Sequence, residues 1–495
     1  MNDPVATGSA FARLRGRLVG DAIVYALAKA VANAGSFALV VLLSRTLVPS
    51  ELGLYSVMLG AVGLSSLVWS GWFSAAAFRY SAEYRVAGTL WRMRATAVRA
   101  YLLMGVALAA VVTVAWAVGV PWIGDLRAPL ATYWILLLAV SSPASSIPEL
   151  YRAEGRSIPS ALLTVTLAIA PIGGILLFAA VSSVDLVVVL AAQALVSLVV
   201  FSTAGMAWGS RPAFPPDEAR DMVRRFFRYG WPLVASNVSA WVLSLADRYI
   251  IALVDTAEQV GYYTVGYQLA SAPLLFIYGA VALPFEPLAL SAHADGDRDK
   301  AFELVGKGVA LTLAAEVLAL ILLLGAREEL ISTFIGDDFS RAVDVIPMIA
   351  VGTALFCVAL ARQQVAVLSE DTRFIFRALL SVAVFNVALN VVLIPAISIE
   401  GAAWATAVAY TVYALLMFLR GDRRRARMPS GWPLQILFSG IVAFGMFAIA
   451  DHYGPDGWGG FALSGVTASI VYIGGLAARG EASVVYAVRQ MIRRR

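Results

Sequence analysis

Stretches of about twenty mostly apolar residues, the length a helix needs to cross the hydrocarbon of a bilayer, follow one another through almost the whole chain. No other feature restricts the fold so far. Lipid offers nothing to hydrogen-bond a free amide or carbonyl, so a spanning segment has to satisfy its own backbone as a helix. Composition agrees. Hydrophobic residues make up 60% of the 495 positions and charged residues 14%, against about 25% charged in soluble domains. The chain therefore predicts an all-α polytopic membrane protein with about fourteen transmembrane helices and no soluble domain. The first apolar run, from about Leu18 to Leu43, is too long for the core of a cleaved leader. Cys357 is the one cysteine, and His293 and His452 lie far apart, so neither a disulfide framework, a metal site nor a cofactor is expected.

Charge placement orients the spans. Assigning loops alternately, with the N-terminus inside, puts 31 of the 37 basic residues on one face. The opposite face holds Arg45, Arg127, Arg327 and Arg341, while Lys29 and Arg248 fall within spans. Such a bias marks the cytoplasmic side. It predicts an even number of spans with both termini cytoplasmic. The same distribution argues against nucleic acid as a partner, because the basic residues are shared among separate loops rather than gathered into a patch. The C-terminal Arg493-Arg494-Arg495 reads as a contact with anionic membrane lipids.

A faint repeat divides the chain. Gly53, Tyr55 and Val57 match Gly261, Tyr263 and Val265 at one offset of 208 residues, each set following the first span of its half. A Pro-rich and charged stretch, 207–228, lies between the halves. The predicted organisation is a six-helix bundle over 1–206, a cytoplasmic linker over 207–228, a second six-helix bundle over 229–420, and two extra helices with a basic tail over 421–495. An even number of spans per repeat keeps both halves in one orientation, with an axis along the membrane normal.

Three stretches carry a family resemblance. The first is Ser44-Arg45-x-Leu47-x-Pro49-x-Glu51-x-Gly53-x-Tyr55. The second is Tyr229-Gly230-Trp231-Pro232-Leu233, continuing to Ala246-Asp247-Arg248-Tyr249 and Gly261-Tyr262-Tyr263. The third is Asn386-x-x-x-Asn390-x-x-Leu393-Ile394-Pro395, followed by Glu400-Gly401-Ala402-Ala403. In this order the chain resembles the polysaccharide transporters, lipid-linked oligosaccharide flippases of the multidrug/oligosaccharidyl-lipid/polysaccharide superfamily. The resemblance implies two six-helix bundles in a V with alternating access, and a multi-pass place in the bacterial cytoplasmic (inner) membrane. It also implies an oligosaccharide on a polyprenyl pyrophosphate carrier as cargo, with a polysaccharide polymerase or glycosyltransferases as possible protein partners. A drug/cation antiporter of the same superfamily and a membrane-embedded glycan polymerase or ligase stand as alternatives. The short outward loops speak against the enzyme.

Ionisable groups deep in a span need a reason, since each costs several kcal/mol there. Lys29 lies about eleven residues, or roughly 16 Å, into the first span, and Asn33 and Ser36 continue its face. Lys29 and Asn33 are candidates for holding the carrier's pyrophosphate, with a structural ion pair as the plainer reading. Arg248, with Asn237 and Ser244 on its face, is the second cation candidate. The neighbouring Asp247 points about 100° away on a helix and is not expected to neutralise it. Glu316, mid-span, is either an ion- or proton-coupling group or a structural partner of Lys29 or Arg248. Arg156 and Arg373 occupy equivalent inner loops and are candidates for the cytoplasmic mouth. Asn386, Asn390 and Gln193 read as interhelical glue. Trp69, Trp72, Trp241 and Tyr267 are candidate sugar-stacking rings, although interfacial belts explain most such residues.

A reporter that works only outside the cytoplasm is expected to stay silent when fused after Arg495 and to become active when inserted within 326–341. The opposite pattern would invert the topology.

Overall fold

A computed structural model describes residues 4–120, 126–180, 183–209, 211–420, 428–429, 431–455 and 457–478, with side chains from residue 24 onward except residue 26. The side chains of Arg13, Arg15 and Arg17, the basic stretch from Arg423 to Arg427 and the Arg493-Arg494-Arg495 tail lie outside the described residues.

Thirteen helices among the described residues are long and apolar enough to cross a membrane. In chain order they are α1 (Pro4–Thr46), α2 (Pro49–Val86), α3 (Leu90–Ala117), α4 (Ala128–Ala153), α5 (Ser157–Ala179), α6 (Leu186–Gly209) and α7 (Pro216–Val254). Then follow α8 (Ala257–Ala294), α9 (Arg298–Ile335), α10 (Ile346–Leu368), α11 (Thr372–Leu419), α12 (Trp432–Tyr453) and α13 (Trp458–Ala477). Helix α11 has 48 residues, roughly 70 Å if straight and about twice what a bilayer core accommodates. It breaks at Ile397 (φ −140°) and Ser398 (φ 52°), just after Pro395, which cannot donate to the ladder. The Ser398 hydroxyl donates to Asp255 Oδ2 at 2.5 Å and holds the break. So α11 is long enough for two spans, and the helices among the described residues agree with the about fourteen crossings that hydropathy predicts.

The charged stretch Asp217–Arg228 is helical and runs without interruption into the seventh span as α7. Pro215 and Pro216 start the helix, and Asp217 and Glu218 suit its positive N-terminal end. Hydropathy cannot see this, because an amphipathic cytoplasmic turn and a loop look equally polar.

Two compact units result, one comprising Met1–Leu47 and Leu54–Trp241, the other Val48–Gly53 and Val242–Arg495. The division falls inside α7, since that helix is continuous. The first unit is packed around an aromatic core of Phe73, Tyr101, Trp208 and Phe226, all buried. Phe73 makes edge-on contacts with Tyr101 and Phe226 at centroid distances of 5.1 and 5.0 Å. Within the bilayer apolar burial does not by itself hold helices together, so short polar bonds take on that work. The Ser142 and Ser146 hydroxyls both donate to Ser70 Oγ, at 2.9 and 3.1 Å, where α2 widens into a π-helical turn. Gln193 of α6 donates to the Tyr55 hydroxyl of α2 at 2.5 Å.

In the second unit α12 and α13 pack on α9, with Tyr472 donating to the Ala314 carbonyl at 2.8 Å. The repeated motif also acts here. A Cβ added to Gly53 would lie 1.8 Å from the Ala257 carbonyl oxygen, and one added to Gly261 would lie 2.0 Å from that of Pro49. Residues 49 and 257 are themselves 208 apart. Each repeat glycine therefore meets the carbonyl equivalent to the one its counterpart meets, a reciprocal crossing in which neither side chain can exceed a hydrogen. Tyr55 and Tyr263, the next matching pair, are both buried and hydrogen-bonded inside their own units.

Gly53→Ala and Gly261→Ala are each expected to lower stability in detergent by about 1–3 kcal/mol through overpacking. Because both open the same crossing, the double variant should lose less than the sum. Full additivity in thermal unfolding would refute the shared crossing.

Candidate functional site

The first unit presents its cations at the surface. Lys29, Asn33 and Ser36 of α1 are all exposed, on a face distinct from the one where Gly35 packs against Ile169 of α5. Among the described residues no carboxylate pairs with Lys29, so the ion pair open to it from sequence is not formed. Asn237 of α7 is exposed too. Arg156 caps the start of α5, exposed, with its guanidinium 4.8 Å from the Tyr151 ring centre.

A basic pocket of ≈ 370 Å³ opens on the same unit, lined by Tyr80, Asp221, Arg224, Arg225, Arg228 and Tyr229. Arg225 is engaged by Glu83 at 2.7 Å and lies 4.0 Å from the Tyr80 ring centre. Arg224 and Arg228 have no carboxylate within bonding range among the described residues. Sequence reading assigned these arginines to topology alone. Their spacing of four residues is the signal that was available, since on a helix it puts both on one side. Arg94 and the buried Glu154 form a bidentate pair nearby in the fold, and Arg85 donates to the Glu154 carbonyl at 2.5 Å.

In the second unit Arg248 is buried, 4% exposed, beside Asp247 at 1%. Asp247 Oδ1 accepts from the Arg248 backbone amide at 2.8 Å and from its Nη1 at 3.4 Å. The expectation that Asp247 could not neutralise Arg248 is corrected. Helix geometry separates the two Cβ directions by about 100°, but the arginine arm is long enough to fold back, also donating to the Ser244 carbonyl at 3.0 Å. Its guanidinium lies 4.7 Å from the Tyr267 ring centre and 5.7 Å from that of Tyr263. Tyr263 donates to Asp247 Oδ2 at 2.6 Å, and the Tyr267 and Tyr410 hydroxyls bond at 2.9 Å. A carboxylate, a guanidinium and three tyrosines thus form one internal knot joining α7, α8 and α11. Buried pairs of this kind add little net stability but are costly to break.

Asn386 and Asn390 are buried on α11 and bond to each other at 3.1 Å. Arg373 is exposed in the first turn of α11, matching the place of Arg156 at the start of α5. Glu316 of α9 is 1% exposed, and neither carboxyl oxygen has a hydrogen-bond partner. The pairing with Lys29 or Arg248 that sequence allowed is not formed. The proposed stacking rings are occupied within their bundles: Trp69 donates to the Met104 carbonyl at 2.6 Å, Trp241 to that of Gly60 at 3.2 Å, and Trp72 is buried.

Two family profiles match the chain, and their ranges overlap. The profile of the family described as polysaccharide biosynthesis protein matches residues 18–285, and that of MatE matches residues 232–392. A curated relative, the probable low-salt glycan biosynthesis flippase Agl15 of Haloferax volcanii, is 24% identical over 302 residues. That alignment covers 59% of this chain and 61% of the relative. Among solved structures, the inward closed conformation of the lipid II flippase MurJ superposes with a TM-score of 0.72 at 14% identity, covering 92% of this chain and 98% of that one. An inward-facing multidrug resistance MATE family transporter gives a TM-score of 0.60 at 15% identity, covering 79% and 92%. At such identities the structural likeness establishes the fold alone.

Arg248→Ala is expected to destabilise the protein by about 3–5 kcal/mol, because it leaves the buried Asp247 carboxylate uncompensated. Thermal unfolding in detergent measures this, and a change below about 1 kcal/mol would show that the knot is not structural.

Proposed function

The chain belongs to the polysaccharide biosynthesis protein family, and on that premise we propose that it translocates a lipid-linked oligosaccharide across the cytoplasmic membrane by alternating access. The observation that carries the reading is the exposed ammonium of Lys29 within a span, with no carboxylate on it among the described residues. An anionic headgroup such as a polyprenyl pyrophosphate supplies the missing charge. Asn33, one turn on, adds a donor, and Asn237 is a further polar candidate. The prenyl chain stays in lipid while the charged and sugar-bearing end is shielded.

Arg224 and Arg228 extend the same chemistry to the cytoplasmic end of α7. Two guanidinium groups facing one pocket of ≈ 370 Å³ suit a pyrophosphate, since arginine matches phosphate oxygens with paired donors. In this reading they receive the headgroup from the inner leaflet, and Arg156 and Arg373 remain candidates for the cytoplasmic mouth, each in its own unit. The antiporter alternative calls for exposed carboxylates within the spans to hold a cationic drug. The two carboxyls most deeply placed in spans, Asp247 and Glu316, are both 1% exposed. Polymerases or glycosyltransferases that make or consume the cargo would be its partners in the same membrane.

Purified protein in liposomes is expected to transfer a fluorescent polyprenyl-pyrophosphoryl oligosaccharide between leaflets. Lys29→Ala should slow the transfer about tenfold, the loss of one charge-assisted contact of about 1.4 kcal/mol, and Arg224→Ala with Arg228→Ala should slow it further, since two contacts are lost. A protein that leaves this lipid in place and moves a cationic drug instead would sink the reading.

A further inference from the structure

We infer that Glu316 is a proton-binding site inside the second unit, reached from the cytoplasmic half through a narrow cavity lined by Tyr278, Glu286, Thr312 and Gln364. Its role as the coupling group of transport rests on the function proposed above; its role in binding a proton does not.

The first observation is an unexplained carboxyl. Glu316 is 1% exposed, and both its oxygens lack a partner. An ionised carboxylate in such surroundings costs several kcal/mol, whereas its protonated form costs far less. The Cys357 thiol against it is a weak donor and offsets little of that cost. Unpartnered hydroxyls lie one helical turn before each of these two residues. Thr312 precedes Glu316 by one turn of α9, and Thr353 precedes Cys357 by one turn of α10, and both threonine hydroxyls are buried without a hydrogen bond. The Cys357 thiol meets the Glu316 carboxyl.

The second observation is a route. Thr312 is also a lining residue of a cavity between α8, α9 and α10. In that cavity Glu286 accepts from Tyr278 at 3.0 Å and from Gln364 at 2.8 Å. The space open to water centres is ≈ 20 Å³, about what one water molecule requires. The lining comes from the C-terminal parts of α8 and α10 and the N-terminal part of α9, the cytoplasmic halves in the orientation set by loop charge. Glu316 lies four residues beyond Thr312, or roughly 6 Å deeper along α9. A proton that reaches the cavity at Glu286 is then one helical turn of α9 from Glu316. The carboxylate gains an O–H bond, the donor loses one, and release reverses the step.

Charged competitors are absent among the described residues. From α10 the titratable group at Glu316 is Cys357, and Tyr278 of α8 lies within electrostatic reach of that thiol. Helices α12 and α13 reach neighbouring positions of α9 through Gly440 against Val317 and Tyr472 on the Ala314 carbonyl, and bring no charge. On α9 itself Lys307 is taken up by Glu303 at 2.5 Å. A metal cation is a poor fit. Hard cations collect about six oxygen ligands or more, and here the group against the one carboxyl is a thiol.

Infrared titration of the full-length protein in liposomes tests the site directly. The protonated-carboxyl band should change with pH in the wild type, and that component should be missing from Glu316→Gln. An identical titration in both proteins overturns the proposal. Should Glu316→Gln fail to fold, Cys357→Ala keeps the carboxyl and should move the midpoint; an unmoved midpoint overturns the proposal equally. In transport of the fluorescent polyprenyl-pyrophosphoryl oligosaccharide, a gradient of one pH unit is a bias of roughly tenfold per proton. It should accelerate the wild type by up to that factor and leave Glu316→Gln at its gradient-free rate. A wild-type rate that follows a sodium gradient and ignores the pH gradient overturns the coupling. Titration at Glu316 in a protein that transfers no such lipid supports the proton site and counts against the cargo.

Discussion

A charge in hydrocarbon must be paired, wetted or neutralised, and the ionisable groups described within the spans answer to that requirement. Each solution has a clear instance. Asp247 and Arg248 are buried and answer one another, with tyrosine hydroxyls completing the bonding. Lys29 is exposed and keeps its charge available. Glu316 is buried without a partner, a state that suits a carboxyl only when it holds a proton. In the function and the proton site proposed above, these three arrangements serve three tasks: joining helices, meeting an anion, and responding to protons.

The repeat serves the same economy of small and polar groups. In lipid the attraction between helices depends on close approach and on a few hydrogen bonds. The glycines of the 208-residue echo supply the approach, each against a backbone carbonyl of the other's segment. The tyrosines two positions later supply the bonds, Tyr55 with Gln193 and Tyr263 with Asp247. Three matching residues in so apolar a chain were a thin signal. Their reciprocal use gives that signal a physical basis, since a side chain at either glycine would collide with backbone.

Not all of the candidate site was legible. Lys29 stood out because a lysine some eleven residues into an apolar run needs a reason, a bound anion or an ion pair, and its stripe with Asn33 and Ser36 follows from helical spacing. The Arg224 and Arg228 pocket was hidden by its own context: arginines beside a cytoplasmic span are expected everywhere, and what distinguishes these two is the ring of Tyr80 on another helix. Arg248 misled in the opposite direction. Its depth suggested an available cation, but the side chain folds back on Asp247 and Ser244 and is enclosed by Tyr267. The Trp241 and Tyr267 rings were likewise used inside the protein.

By itself the sequence determined the solvent and the approximate number of crossings, and it predicts their orientation. Those depend on transfer free energies and on lysine and arginine counts, which are sums over local stretches and need no partner. It also carried the family resemblance, because that resides in ordered local motifs. Tertiary structure decided which polar groups are available and which are spent. Whether Arg248 is free, whether Glu316 has a counter-ion, and whether two cytoplasmic arginines share a pocket are questions of distance between helices. Hydropathy is silent on distance, and in a membrane a few ångströms separate a charge that holds the fold together from one that is left for function.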